Sequence, residues 1–195
     1  MNEAYILNWD FNRDEDVEND AFHIPFVGDT EFGANLIRNE DFPHPSLICF
    51  RANFSALSRF DYLVTDLHVP VMSNKMIATL LAGTNIGYKL IPTAMIDDTY
   101  LNEICDSENK LLPNIPVINS YSILHLSEYL DAFNYNNSEY KTSAAIPGMI
   151  RVRKLILRNS EFPKIFRIRE SASKLFISGE AKKELESKKI RGFFF

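Results

Sequence analysis

The sequence predicts an α+β fold with a mixed, mostly antiparallel sheet and a few short helices. Short β-branched and aromatic runs alternate with turn residues along most of the chain, which is typical of strands. Two stretches change from a strand period to a helix period and back, and both begin their helical part at a serine. With 195 residues, 46% of them hydrophobic, the chain is long enough for one domain with a substantial core.

The first part of the chain combines strands with irregular segments. Residues 4–9 are apolar and aromatic and predict the first strand, whereas the acidic residues 10–21 predict an exposed loop. Prolines and glycines scattered over residues 22–45 favour irregular structure packed on a core. Residues 46–54 predict a buried strand, and residues 62–65 predict another.

Residues 69–92 predict a strand–helix–strand unit. The hydroxyl of Ser73 can accept a hydrogen bond from a free amide of the first helical turn, and Gly83 stands where a left-handed residue would end the helix. Residues 174–195 have the same order of features, with Ser178 as the cap and three phenylalanines in the last strand. Laid over each other without a gap, the units align serine, leucine and glycine positions, which suggests an internal repeat.

The final strand of the second unit is predicted to lie inside the core. Gly192 would allow close approach of another backbone or a twist, while Phe193 and Phe195 would share one face and Phe194 would take the other. Burial of both faces would then make this strand an inner strand or one that a helix covers.

Three further stretches lie between the two units. Residues 121–140 predict a strand, a short helical stretch and a polar turn. Residues 149–159 alternate apolar and basic positions and predict a half-exposed strand with a basic outer face, and residues 162–169 predict another strand. Four arginines of these strands can bind nucleic acid or can neutralise the acidic remainder of the molecule: Arg151, Arg153, Arg167 and Arg169.

Motifs of common enzymes and metalloproteins do not occur in the sequence. It contains neither GxGxxG nor GxxxxGK[ST], and its four histidines form no HxxxH or HExxH pair. The acidic run from Asp14 to Asp20 resembles a calcium loop, but Asn19 and Pro25 occupy the positions that need glycine and glutamate. The motifs therefore support no enzyme, and we predict no catalytic residue, cofactor or metal. An enzyme or small-ligand site assembled only in three dimensions is the alternative.

The chain is predicted to be a single cytoplasmic domain, residues 1–195. Its N-terminus lacks the positive charge and the apolar run of a signal peptide, and no apolar stretch is long enough to span a membrane. Its two cysteines, Cys49 and Cys105, lack CxxC spacing and fit a reducing compartment. We therefore expect no contact with a membrane.

Charge is distributed unevenly along the chain. Residues 1–20 contain seven acids and one base, whereas residues 151–195 contain thirteen bases and five acids. The basic positions of the last predicted helix alternate with glutamates, which is typical of a solvated helix face and favours a protein partner over nucleic acid. A nucleic-acid-binding regulator that uses the basic strands is a third hypothesis.

Three stretches of the chain carry a family resemblance. Residues 67–81 are a strand that leads into a serine-started helix, and residues 126–140 contain Leu-Asp and Ser-Glu-Tyr. Residues 163–195 contain Ile-Phe-Arg-Ile-Arg, then Leu-Phe-Ile-Ser, a Lys/Glu helix and an Ile-x-Gly-Phe ending. On these stretches the chain resembles a bacterial immunity-protein family that is found beside polymorphic toxins. Residues 61–195 are the family-like part, with units 69–92 and 174–195, and residues 1–60 are a variable N-terminal part.

The resemblance implies a small bacterial protein that binds a cognate antibacterial toxin domain and neutralises it in the producing cell during interbacterial competition. It implies no catalytic residues, and therefore a binding protein and not an enzyme. A partner-specific surface is expected to differ between family members, so we place partner binding in the variable part, where acidic side chains would meet a basic toxin surface with steered association. The residues predicted to bind the partner are Asp10, Asp14, Glu15, Asp16, Glu18 and Asp20.

Overall fold

A closed six-stranded barrel forms one part of this computed structural model, which describes residues 3–10, 20–25, 47–108, 110–143 and 150–195. The order around the barrel is β3-β2-β4-β5-β8-β6, and a pairing of β3 with β6 closes it. Two pairings, β2–β4 and β3–β6, are parallel, and the other four are antiparallel. The barrel strands are β2 (Asp20–His23), β3 (Ile48–Ala52), β4 (Tyr62–Thr65), β5 (Val71–Ser73), β6 (Tyr88–Asp97) and β8 (Tyr121–Leu126). A short strand, β7 (Val117–Ile118), pairs with β6 outside the barrel.

Alternate side chains of each barrel strand point to the interior, and most of them are apolar. Phe50, Leu63 and Met95 are fully buried there, and the short helix α1 (Phe54–Leu57) adds Leu57 to the same cluster. Tyr121 also belongs to it, and its hydroxyl donates to the backbone oxygens of Leu57 and Phe60. The strand β8 is thereby tied to the end of α1.

Beside the barrel lies an open, fully antiparallel sheet of four strands in the order β11-β12-β1-β13. These strands are β1 (Ala4–Trp9), β11 (Ile165–Phe166), β12 (Leu175–Ser178) and β13 (Phe193–Phe194). One sheet face packs on the outside of the barrel and on two helices, α2 (Asn74–Leu81) and α3 (Gly179–Ser187), in one shared core.

A two-stranded ribbon partly covers the other face of the four-stranded sheet. It consists of β9 (Glu139–Thr142) and β10 (Ile150–Lys154), which pair antiparallel. Ile150 and Val152 of β10 pack on a cluster that contains the fully buried rings of Phe133, Phe166 and Phe176. Among the described residues, the remainder of this face is left uncovered by the ribbon.

The predicted α+β class with a mostly antiparallel sheet is confirmed, and so are both serine caps. The Ser73 Oγ accepts from the Met76 amide at 3.1 Å, and the Ser178 Oγ accepts from the Ala181 amide at 3.2 Å. The internal repeat is not supported. The first unit is part of the closed barrel, and its last strand has 10 residues, whereas the second belongs to the open sheet, and its last strand has 2.

Two other predictions need correction. The helical stretch after β8 does not form, because backbone amides of this segment bond to a distant part of the chain: the Leu130 amide donates to the Arg167 oxygen at 2.7 Å. The final strand is an edge strand with Phe194 47% exposed, so the prediction that both of its faces are buried is wrong. The role of Gly192 is confirmed: its φ is 100°, and a Cβ there would lie 2.4 Å from the Tyr62 oxygen.

Candidate functional site

The acidic residues predicted to bind a partner lie only partly within the described structure. Asp10 directly follows β1, and its amide donates to the Gly192 oxygen at 3.1 Å. Asp20 is the first residue of β2, not a loop residue as predicted, and lies opposite Val64 of β4. These two residues mark where the acidic stretch leaves the four-stranded sheet and where it enters the barrel. Asp14, Glu15, Asp16 and Glu18 lie outside the described residues, and the binding role of all six stays a prediction.

Positive charge is concentrated in an open groove on the outer face of the four-stranded sheet, beside β10. Two adjoining depressions of about 840 and 540 Å³ share Arg153, Leu155 and Lys174 as lining residues. We call the two together the basic groove. Five bases and two acids line it: Arg151, Arg153, Arg158, Arg169, Lys174, Glu3 and Glu170.

Two arginines of the groove are positioned by the alternation of β10. Arg151 and Arg153 are exposed, while Val152 between them packs on the core cluster of the sheet. The predicted half-exposed strand with a basic outer face is therefore confirmed. The facing wall comes from a short 3-10 turn, Arg169–Ser171, and from the residues that follow it to Lys174.

Arg167 differs from the other arginines because it is buried. Its Nε and Nη2 atoms donate to the Ala172 oxygen at 3.0 and 2.6 Å, and its guanidinium lies 5.1 Å from the centre of the Tyr129 ring. Burial lowers the pKa of this guanidinium from its ordinary value. Arg167 thus holds the turn that forms one wall of the groove, and the prediction of a surface role for it is wrong. The alternation of apolar and polar residues could not indicate the burial of Arg167, because residues 165–168 are all buried and do not alternate between core and solvent.

The charges of the groove are not equally available to a partner. Arg158 is bound by the Asp131 carboxylate and by the Phe133 oxygen, and the Glu170 carboxylate accepts from the Tyr135 hydroxyl, which raises the pKa of that hydroxyl. Within the described ranges, four bases of the groove form no ion pair: Arg151, Arg153, Arg169 and Lys174.

The floor of the groove is apolar. Ile6 of β1, Leu155 and Phe162 line it, and Phe162 stacks on Phe166 with ring centres 5.2 Å apart. Phe166 in turn stacks on Phe176 at 5.5 Å, so the floor rests on packed rings of the core. Basic walls above an apolar floor can hold a ligand that carries both negative charge and apolar groups.

A second cavity lies between the barrel and the four-stranded sheet. His68, His125 and Arg167 are among its lining residues, but its volume is about 40 Å³, which is too small for an organic ligand. In the part of the chain that the structure describes, no three His, Cys, Asp or Glu side chains are grouped to hold a metal ion. The basic groove is therefore the better candidate for a site.

No protein-family model matches the chain, and no curated protein matches it. The resemblance to immunity proteins accordingly depends on the residues quoted above. Among the described residues, no helix has the length and apolar character needed to cross a membrane.

Proposed function

We propose that the protein is an immunity protein that binds a cognate antibacterial toxin domain and neutralises it by protein–protein contact. The observation that carries the proposal is the separation of charge. An acidic stretch connects β1 of the sheet to β2 of the barrel, and the basic groove lies on the outer face of the sheet. An uneven distribution of charge in a protein orients a charged partner and speeds its association.

The acidic stretch is the proposed contact for the toxin. It begins at Asp10 and ends at Asp20, and both flanking residues belong to or adjoin strands of the folded core. A segment between two strands of a folded core can vary in sequence with less effect on the fold than the strands themselves, which suits a segment that must match one partner. The family resemblance, which is weakest over residues 1–60, supports the same location.

Co-expression with a candidate toxin domain, which the proposal expects a neighbouring gene to encode, tests the proposal. The wild-type protein is expected to restore growth, and a variant with Asp14→Asn, Glu15→Gln, Asp16→Asn and Glu18→Gln is expected to restore it less well. The matched control changes net charge by the same amount at exposed positions elsewhere: Glu103→Gln, Glu108→Gln, Glu128→Gln and Glu139→Gln. Equal protection by the two variants would show that the acidic stretch is not the toxin contact. No protection by the wild-type protein would contradict the immunity function.

A further inference from the structure

We infer that the basic groove is a docking site for an extended, acidic segment of a partner protein. The inference goes beyond the proposed function, which places toxin contact in the acidic stretch and assigns nothing to the groove.

Charge on both walls is the first observation. Arg151 and Arg153 stand at alternate positions of β10, and Arg169 and Lys174 come from the facing turn. Guanidinium groups bind carboxylates through two parallel hydrogen bonds, so a carboxylate in the groove can be held from either wall. These four side chains make no ion pair within the described residues, so a ligand does not have to displace an internal carboxylate, although the Arg169 guanidinium lies 5.9 Å from the centre of the Tyr129 ring.

The shape of the groove favours an extended chain. Its two depressions adjoin at Arg153, Leu155 and Lys174, strand β10 lines both, and β10 pairs with β9 along one edge only among the described strands. Successive side chains of an extended segment point to opposite sides. A segment that alternates acidic and apolar residues can therefore direct carboxylates to the arginines and apolar side chains to Leu155 and Phe162. Segments that lie along a free strand edge are a common form of peptide recognition.

The floor favours a polypeptide over a nucleic acid. Binding of single-stranded nucleic acid uses aromatic faces on which bases stack. Here one face of the Phe162 ring is stacked on Phe166, and Phe176 is buried, so these rings take part in packing of the core. Apolar side chains of a peptide fit such a floor.

Fluorescence anisotropy with a labelled peptide of about eight residues, alternating glutamate and valine, tests the inference. Saturable binding at low salt is expected. The double variant Arg151→Gln, Arg153→Gln should weaken it by about tenfold or more, as expected for the loss of two charge-assisted contacts. The control variant Arg59→Gln, Lys183→Gln makes the same charge change at exposed positions outside the groove and should leave the affinity within about twofold.

Three results would overturn the inference. The first is equal loss of affinity in the groove variant and the control variant, provided that both retain the wild-type melting temperature. The second is equal binding of a peptide with the same composition but with its glutamates and valines in two separate blocks. The third is tighter, arginine-dependent binding of a thymidine oligonucleotide, which would make the groove a nucleic-acid surface. The peptide assay contains no toxin, so a negative result there would not argue against the immunity function. The growth assay tests the immunity function and does not depend on the groove.

Discussion

The two strand–serine–helix units, residues 69–92 and 174–195, have the same local order of features but differ in what they bury. In α2, Met76, Ile77, Thr79 and Leu80 are buried, whereas α3 buries only Ala181 and Leu185 and presents charged residues to solvent. In both units an antiparallel strand from elsewhere in the chain, β8 or β1, separates the unit's own two strands.

The likeness between the units does not extend to their surroundings. After α2, the residue with a positive φ is Gly83, at 70°, whereas after α3 it is Lys189, one position later than the gap-free alignment requires. The first unit closes a barrel, and the second forms one side of an open sheet. Local sequence thus determines the cap and the helix, and tertiary packing decides whether a unit builds the core or supports an exposed face.

The largest difference between the units is expected at their glycines. A Cβ at Gly192 would lie 2.4 Å from the Tyr62 oxygen at a φ of 100°, whereas a Cβ at Gly83 would meet nothing within 4 Å. Gly192→Ala should lower the free energy of unfolding by about 3 kcal/mol or more, because a clash adds to backbone strain. Gly83→Ala should cost only about 1 kcal/mol, from the left-handed conformation alone. Urea unfolding measures both, and similar costs would contradict the described contact with β4.

The next largest loss of stability is expected at the C-terminal phenylalanines of the second unit. The ring of Phe195 lies 5.8 Å from that of Tyr5 and 5.1 Å from that of Phe193, and the Lys182 ammonium lies 4.8 Å from its centre. Phe195→Ala should therefore destabilise the protein by about 2 kcal/mol. Phe194→Ala is the matched control and should cost well under half of that, because Phe194 is 47% exposed. Thermal unfolding would contradict this arrangement if Phe194→Ala were the more harmful change.

The two serine caps should differ by a smaller amount. Ser73 accepts from the Met76 amide and also donates to the Asp61 carboxylate at 2.5 Å, and the other oxygen of Asp61 accepts from the Arg191 amide at 3.1 Å. Ser178 makes the cap bond to the Ala181 amide. Loss of either cap should cost about 1 kcal/mol, and Ser73→Ala should cost about 1 kcal/mol more because a charged acceptor loses its donor. Chemical denaturation of both variants measures the two losses of unfolding free energy. A larger loss for Ser178→Ala than for Ser73→Ala would contradict the prediction.

The last effect is absent at neutral pH and appears only at high pH, in the tyrosines of β8 and β1, the strands that separate the two strands of each unit. Burial raises the pKa of Tyr121 in β8 from 10.0 to about 12, whereas the pKa of Tyr5 in β1 is raised mainly by its hydrogen bond to the exposed Glu3 carboxylate. A raised pKa in the folded state favours the protonated form. The stability that Tyr121 contributes is therefore complete below pH 10 and is lost as the pH rises through 12.

Unfolding free energy measured across this alkaline range separates the two tyrosines. Tyr121→Phe should flatten the decline with pH clearly, and Tyr5→Phe should flatten it less, because solvent screens the exposed pair. An equal change of slope in the two variants would show that burial of Tyr121 is not the cause.

The sequence predicted local features well and long-range ones poorly. Serine caps, the left-handed Gly83, the close approach at Gly192 and the basic face of β10 follow from a few neighbouring residues, and all are present. Closure of the barrel was not predicted, because it depends on pairing Ile48–Ala52 with residues 93–97, and hydrophobic periodicity carries no information about which strands pair.

The candidate site was predicted only in part. The sequence assigned Arg151 and Arg153 to an outer strand face, but it did not show that Arg167, unlike them, is buried. Its burial results from contacts with Ala172 and Tyr129 that exist only in the folded chain. The groove itself was not foreseen, because its walls come from β1, β10 and the turn after β11, which are distant in sequence.

The central proposal, that acidic residues of this protein capture a toxin domain, is tested most directly by the association rate constant with the toxin domain that the protein neutralises in the growth assay. Stopped-flow measurements at low and high salt are expected to show fast association that slows as salt is added. The variant Asp14→Asn, Glu15→Gln, Asp16→Asn, Glu18→Gln should associate more slowly and with a weaker salt dependence, while the four-glutamate control keeps the wild-type rate. An unchanged rate for the acidic-stretch variant at low salt would contradict the account.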